Sequence, residues 1–268
     1  MQFVVEGANV YAYTGTRSFD AALPTVIFLH GAANDHSVWA LQSRYFAHHG
    51  WNTLAVDLPG HGRSTGEALS AVSQNADWTI RAMDALDIAR AALVGHSMGS
   101  LAALDAAGRY AERVTKLALL APSVPMPVSE ALLKASRANE HLAYELITEW
   151  SFSPEHQTGG NQQPGIWMTG NGLRLMERSR PGVLYTDLCA CNSELIVVLP
   201  IHLGGENERI FQHHQRFVGD FADSKQIVCH GFSNWPVRKV LPASLTRRYD
   251  ESAQYLALVG VSRTSLGG

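Results

Sequence analysis

Short, largely apolar runs alternate along this chain with stretches whose apolar residues recur at helical intervals. Residues 24–29, 51–56, 91–94 and 114–120 are such runs, each of strand length. A strand buried on both faces has this character, because neither side meets water. Between them, residues 38–49 read as a helix, and residues 75–88 carry a stripe of Trp78, Ala82, Ala85 and Leu86 with Met83 beside it. An Ala-rich helix follows from Met98 to about Tyr110. At the amino end, Phe3-Val4-Val5 and Val10-Tyr11-Ala12-Tyr13 flank Glu6-Gly7-Ala8-Asn9, the pattern of a β-hairpin. Strands separated by helices predict an α/β fold, with a mostly parallel central sheet covered by helices on both faces.

After Ala121 the rhythm changes. Pro122, Pro125 and Pro127 interrupt it, and residues 128–180 read as helices around a polar loop, Thr158-Gly159-Gly160-Asn161-Gln162-Gln163-Pro164-Gly165. This predicts a helical cap inserted at 122–182, dividing the core into 1–121 and 183–268. Tyr144, Trp150, Phe152, Trp167 and Met168 either line a pocket there or hold the cap helices together.

Composition narrows the function classes. The 268 residues carry a net charge of −3 with 17% charged residues, so neither nucleic acid nor an anionic membrane surface is an expected partner. No apolar stretch approaches the roughly 20 residues that cross a bilayer, and the first residues lack the charged and apolar regions of a secretory signal. Three cysteines, Cys189, Cys191 and Cys229, make no disulfide framework and fit a cytoplasmic location. Adjacent His213-His214 and His48-His49 diverge by about 100° on a helix and form no chelating face. No metal or cofactor is expected.

The decisive motif is Gly95-His96-Ser97-Met98-Gly99, directly after the run 91–94. A serine between two glycines at a strand-to-helix turn is the pattern of a nucleophile elbow, which lifts the hydroxyl above the carboxyl end of a sheet. Three further segments accompany it: His30-Gly31-Ala32-Ala33 with Trp39, Asp57-Leu58-Pro59-Gly60-His61-Gly62-Arg63-Ser64, and Arg180-Pro181-Gly182-Val183-Leu184 with Asp187-Leu188-Cys189-Ala190-Cys191-Asn192. In this order, over residues 25–192, the four resemble the capped α/β-hydrolases, which include bacterial serine esterases and C–C bond hydrolases. The resemblance implies Ser97 as nucleophile and the amides of Met98 and Ala32 as oxyanion donors. It makes His30, His61 and His96 structural or pocket-lining, with His30 the brace of its loop and Trp150 and Trp167 candidates for the substrate pocket. A serine nucleophile disfavours dehalogenase and epoxide hydrolase chemistry, which needs a carboxylate ester intermediate.

Triad order in this fold is serine, acid, histidine, so the remaining residues come from 193–268. The stretch around Gly204-Gly205-Glu206-Asn207-Glu208 resembles the strand and turn bearing the acid and puts Glu208 there, with Asp220 and Asp223 as other carboxylates. Residues 225–236 resemble the last core strand and the loop of the catalytic histidine. In that register Asn234 stands at the histidine position, and His230, four residues earlier, is the fallback base. The expectation is a serine hydrolase of carboxylic esters with small or medium acyl groups, without a cofactor and impaired by Asn234. The alternatives are a C–C bond hydrolase and a non-catalytic ligand-binding protein. Oligomeric state is not legible from the chain.

Overall fold

The computed structural model describes residues 1–151, 168–192, 226–231 and 255–260. β1 (Gln2–Val5) and β2 (Ala8–Tyr13) pair as the expected hairpin, with Val5 opposite Ala8. Its two-residue turn has positive φ at both Glu6 (49°) and Gly7 (83°), the type I′ geometry whose twist suits antiparallel strands. β3 (Thr25–Leu29) and β4 (Asn52–Val56) are buried at every residue, as is β5 (Ala91–His96) up to Gly95. These runs read as strands because their burial is two-sided.

The sheet order is β1-β2-β4-β3-β5-β6-β7-β8, with β6 at Val114–Leu120, β7 at Gln226–Gly231 and β8 at Tyr255–Gly260. From β4 to β7 neighbours run parallel; the pairings at either end are antiparallel. Parallel neighbours need crossovers, and helices supply them. A short 3₁₀ turn (His36–Trp39) and α1 (Ala40–His48) join β3 to β4, α2 (Val72–Asp84) joins β4 to β5, and α3 (Met98–Arg109) joins β5 to β6. Alternate residues of β3 serve opposite faces. Val26 and Phe28 pack with Trp39, Phe46 and Val94, whereas Ile27 and Leu29 pack with Leu54, Met83, Leu93 and Leu101. The Phe28 ring lies 5.2 Å from Trp39 and 5.7 Å from Phe46, centre to centre.

Four helices follow β6 among the described residues: α4 (Glu130–Arg137), α5 (His141–Ser151), α6 (Met168–Glu177) and α7 (Val183–Cys191). Ser129 caps α4 by accepting from Leu132 N–H at 3.3 Å. Leu132, Ala135, Tyr144, Met176, Leu184 and Leu188 form one apolar cluster with Ala32 and Ala33, so these helices rest on the loop that leaves β3. That places them over the carboxyl end of the sheet. No helix among the described residues is long and apolar enough to cross a membrane.

One expectation changes. The strand at 226–231 is not the last of the sheet: it lies beside β6, and β8 adds a further antiparallel strand outside it. The sequence motif defined a strand but not its rank, because rank is set by pairing with β6. The proposed acid strand near residues 200–205 and the polar loop at 158–165 lie outside the described residues.

Leu93 is fully buried in the central strand, and Leu93→Ala should cost about 2–5 kcal/mol. Urea unfolding should show this as a lower midpoint with an unchanged slope.

Candidate active site

Ser97 joins β5 to α3 with φ 52° and ψ −119°, a backbone conformation that a residue with a side chain adopts only when its surroundings enforce it. Those surroundings are the two glycines. A Cβ on Gly95 would collide with the Gly99 carbonyl and lie 2.6 Å from Ser100 Cα. One on Gly99 would collide with the Leu29 carbonyl and sit 2.6 Å from His30 O. The serine backbone is held on both sides: its N–H donates to Leu120 O at 2.9 Å, and its carbonyl accepts from Ser100 N–H at 2.9 Å. The residue remains partly exposed. Its hydroxyl thus stands at the amino end of α3, where the helix dipole favours developing negative charge.

The loop leaving β3 comes directly against this turn. A Cβ on Gly31 would lie 3.2 Å from Ser97 Cβ and 3.1 Å from His96 Nδ1. His30 is fully buried and both its nitrogens are engaged. Leu58 N–H donates to its Nε2 at 3.1 Å, so the proton is on Nδ1, which donates to Gly31 O at 2.8 Å. Gly31 C=O and Ala32 N–H share one planar peptide unit and point in opposite directions. Holding that carbonyl therefore aims that N–H. Asn34 N–H also donates to Gly31 O (3.2 Å), Asn34 Nδ2 donates to Ala32 O (3.2 Å), and Ala33 N–H donates to Asp187 Oδ2 (2.8 Å). Among the described residues the amide of Ala32 meets no acceptor. The amide of Met98 meets none either, being the first of α3 and one that a helix leaves without an internal partner.

Beneath the loop lies a buried ion pair. His61 Nε2 is 2.8 Å from Asp187 Oδ2, and its Nδ1 is 2.9 Å from Pro59 O. Both partners can only accept, so both contacts are satisfied only by a doubly protonated imidazolium. Burial opposes that charge, but the charge and hydrogen bond of Asp187 outweigh it, and the His61 pKa is raised. His30, 4.8 Å away ring to ring, has the opposite fate. Burial first, and then the His61 charge, lower its pKa to about 3, so it stays neutral. Asp57, also buried, takes His36 N–H (2.7 Å) and His36 Nδ1 (2.8 Å) on one oxygen and Arg63 N–H (2.8 Å) on the other. Asp35, His36 and Asp57 have ligand atoms within 4.8 Å of one another. The Asp57 oxygens already face internal donors, and Asp35 Oδ1 accepts from Ser37 N–H at 2.8 Å. This group braces two turns.

The remaining sequence candidates are placed unevenly. His96 is partly exposed beside Ser97, its ring 6.4 Å from Trp39. His30 is an internal brace and not a pocket wall, because none of its surface is exposed. Trp150 is 55% exposed on α5, a surface position rather than an enclosed one, whereas Tyr144 is buried between the helices. Trp167, Glu208 and Asn234 lie outside the described residues. His230, next to last in β7, is in register with Leu120, which is itself level with His96, so its backbone lies two strands from the elbow at the same end of the sheet.

Residues 24–146 match the family model described as alpha/beta hydrolase fold. The chain is 33% identical over 96 residues to the (E)-2-((N-methylformamido)methylene)succinate hydrolase of Acinetobacter baylyi, covering 35% of this chain and 36% of that protein. It is 38% identical over 121 residues to the 2-hydroxy-6-oxononadienedioate/2-hydroxy-6-oxononatrienedioate hydrolase of Paraburkholderia phymatum, covering 40% and 41%. Both matches span less than half of the relative. The crystal structure of the enol-lactonase from Burkholderia xenovorans superposes with a TM-score of 0.61 at 19% identity over 73% of this chain and 75% of that one, a likeness of fold. The chain has the α/β-hydrolase fold, and residues 24–146 are similar to that family.

Within this fold, the sequence did not reveal that His61 and Asp187 meet. They are separated by 126 positions, and no periodicity connects them. Their only signal was that each sits in a segment resembling the family. The clamp on Gly31 O was foreshadowed, since His30 was read as a brace.

His30 also sets a pH dependence. Its folded pKa lies below the ordinary 6.5, so below pH ~6.5 the unfolded chain binds a proton that the folded one refuses. The stability His30 contributes is complete above pH ~6.5 and is lost as pH falls towards 3. His30→Asn should flatten the acid limb of a stability-against-pH curve by up to ~1.4 kcal/mol per pH unit. Equal slopes would mean that His30 is not held neutral.

Proposed function

We propose that this protein of α/β-hydrolase fold is a serine hydrolase that cleaves small-molecule carboxylic esters through an acyl-enzyme. The observation that carries the reading is Ser97, raised on a left-handed turn, beside the amides of Met98 and Ala32, which meet no acceptor among the described residues. Ser97 Oγ attacks the ester carbonyl, and the oxyanion accepts hydrogen bonds from those amides. One such donor is worth about 10²–10³ in kcat. The C–O bond breaks, the alcohol leaves with a proton, and water then hydrolyses the ester on Ser97. In this reading residues 122–182 serve as a cap insertion, and the free Cys189 and Cys191 fit a cytoplasmic setting.

In this reading Glu208 is the acid that orients the base, and Asn234 occupies the base position. An amide cannot take the serine proton. Loss of the base in a serine triad costs about 10⁶ in kcat, leaving roughly 10³–10⁴ over water. His230, whose backbone lies near the end of β7, is the fallback base in this reading. A second reading, cleavage of a C–C bond in a 2-hydroxy-6-oxo dienoate, is supported by the likeness to the P. phymatum hydrolase. It uses the same nucleophile and oxyanion donors.

Turnover of p-nitrophenyl butyrate should be slow in the wild type, absent in Ser97→Ala, and faster by about 10² or more in Asn234→His. A fast wild type that loses its rate in His230→Ala would move the base to His230. Activity surviving in Ser97→Ala would overturn the reading, and a preference for the dienoate over the ester would select its C–C variant.

A further inference from the structure

Both peptide units flanking Ala32 are clamped, and the second clamp comes from a different part of the chain. His30 and Asn34 hold the Gly31 carbonyl from within the loop or beside it. The Ala32–Ala33 unit is held at its carbonyl by Asn34 Nδ2 and at its N–H by Asp187 Oδ2, 154 positions away in α7. Ala33 has φ 53°, so the chain turns sharply there and needs that anchor to keep its course. Asp187 is itself immobilised. It is buried, its Oδ2 also accepts from His61 Nε2 at 2.8 Å, and Leu184 and Leu188 on the same helix pack against Ala32 and Ala33. Its Oδ1 is buried without a partner among the described residues, so Oδ2 carries the whole polar function of the side chain.

We propose that Asp187, fixed by His61, is a positioning residue that aims the Ala32 N–H at the oxyanion by anchoring the Ala33 amide. The two residues touch no reacting atom. They act through the loop, and they tie its geometry to α7, the helix on which α4 rests. A buried ion pair gives little net stability over apolar replacements of similar size. A directional carboxylate, however, fixes a peptide plane that apolar packing leaves free to tilt. The inference rests on the serine-hydrolase reading, and its test separates the two.

Steady-state kinetics with p-nitrophenyl butyrate are measured for the wild type, Ser97→Ala, Asp187→Asn, and the double variant His61→Met with Asp187→Val, each checked for fold by circular dichroism. The double variant removes both charges together, so no buried charge is stranded. A folded double variant should lose about 100-fold in kcat, the order of one oxyanion donor, with KM within about threefold. Asp187→Asn keeps an oxygen for Ala33 N–H and should recover most of that loss. An unchanged kcat in the folded double variant, or a loss confined to KM, overturns the proposal. If the double variant does not fold, His61→Gln with Asp187→Ser, neutral and too short to reach Ala33, carries the same two outcomes. Activity that persists in Ser97→Ala refutes the serine-hydrolase reading itself, whatever Asp187 does.

Discussion

Three absent side chains bring the site together. Gly95 lets β5 turn against the Gly99 carbonyl, Gly99 lets α3 start against the carbonyls of Leu29 and His30, and Gly31 lets the loop after β3 touch Ser97. Any Cβ at these points would hold β3, β5 and α3 apart by a few tenths of an ångström or more. With none present, three backbones meet at the carboxyl end of the two central strands, and the strain of Ser97 is carried by hydrogen bonds to Leu120 and Ser100. The serine and its neighbouring amides are therefore consequences of close backbone packing before they are features of catalysis.

Charge does the remaining work of shaping. His61 is held as a cation by Asp187, and His30 beside it is held neutral. Neutrality leaves His30 one proton, and the Leu58 N–H donated to Nε2 decides that its N–H, not its lone pair, faces Gly31 O. Were His30 charged, Leu58 N–H would face another donor. Burying such a pair costs desolvation that its attraction only partly repays. The return is directional: the loop after β3 has one shape.

The elements easiest to read were those whose burial is two-sided or whose turn has one solution. The runs at 24–29 and 51–56 emerged as strands, and Gly95-His96-Ser97-Met98-Gly99 announced a turn that only glycines allow. Helix α2 begins at Val72, not at residue 75, and ends at Asp84, because helix limits depend on end bonds that the apolar stripe does not encode. The partnership of Asp187 with Ala33 and His61 was invisible, since it arises only when α7 returns to the loop after β3. Trp150 misled for the opposite reason. An aromatic ring on a helix reads equally as pocket wall or surface, and here it is surface. Past Cys191 the motifs thin, and the position of β7 beside β6 follows from pairing that no local pattern specifies.

Reactivity of the Ser97 hydroxyl is the quantity on which the account turns. Treatment with a fluorophosphonate, followed by intact-mass and peptide analysis, measures it most directly. One phosphonyl group on the peptide containing Ser97, formed slowly and missing in Ser97→Ala, is the result the account predicts. An unmodified chain after prolonged exposure, or modification at another residue, would contradict it.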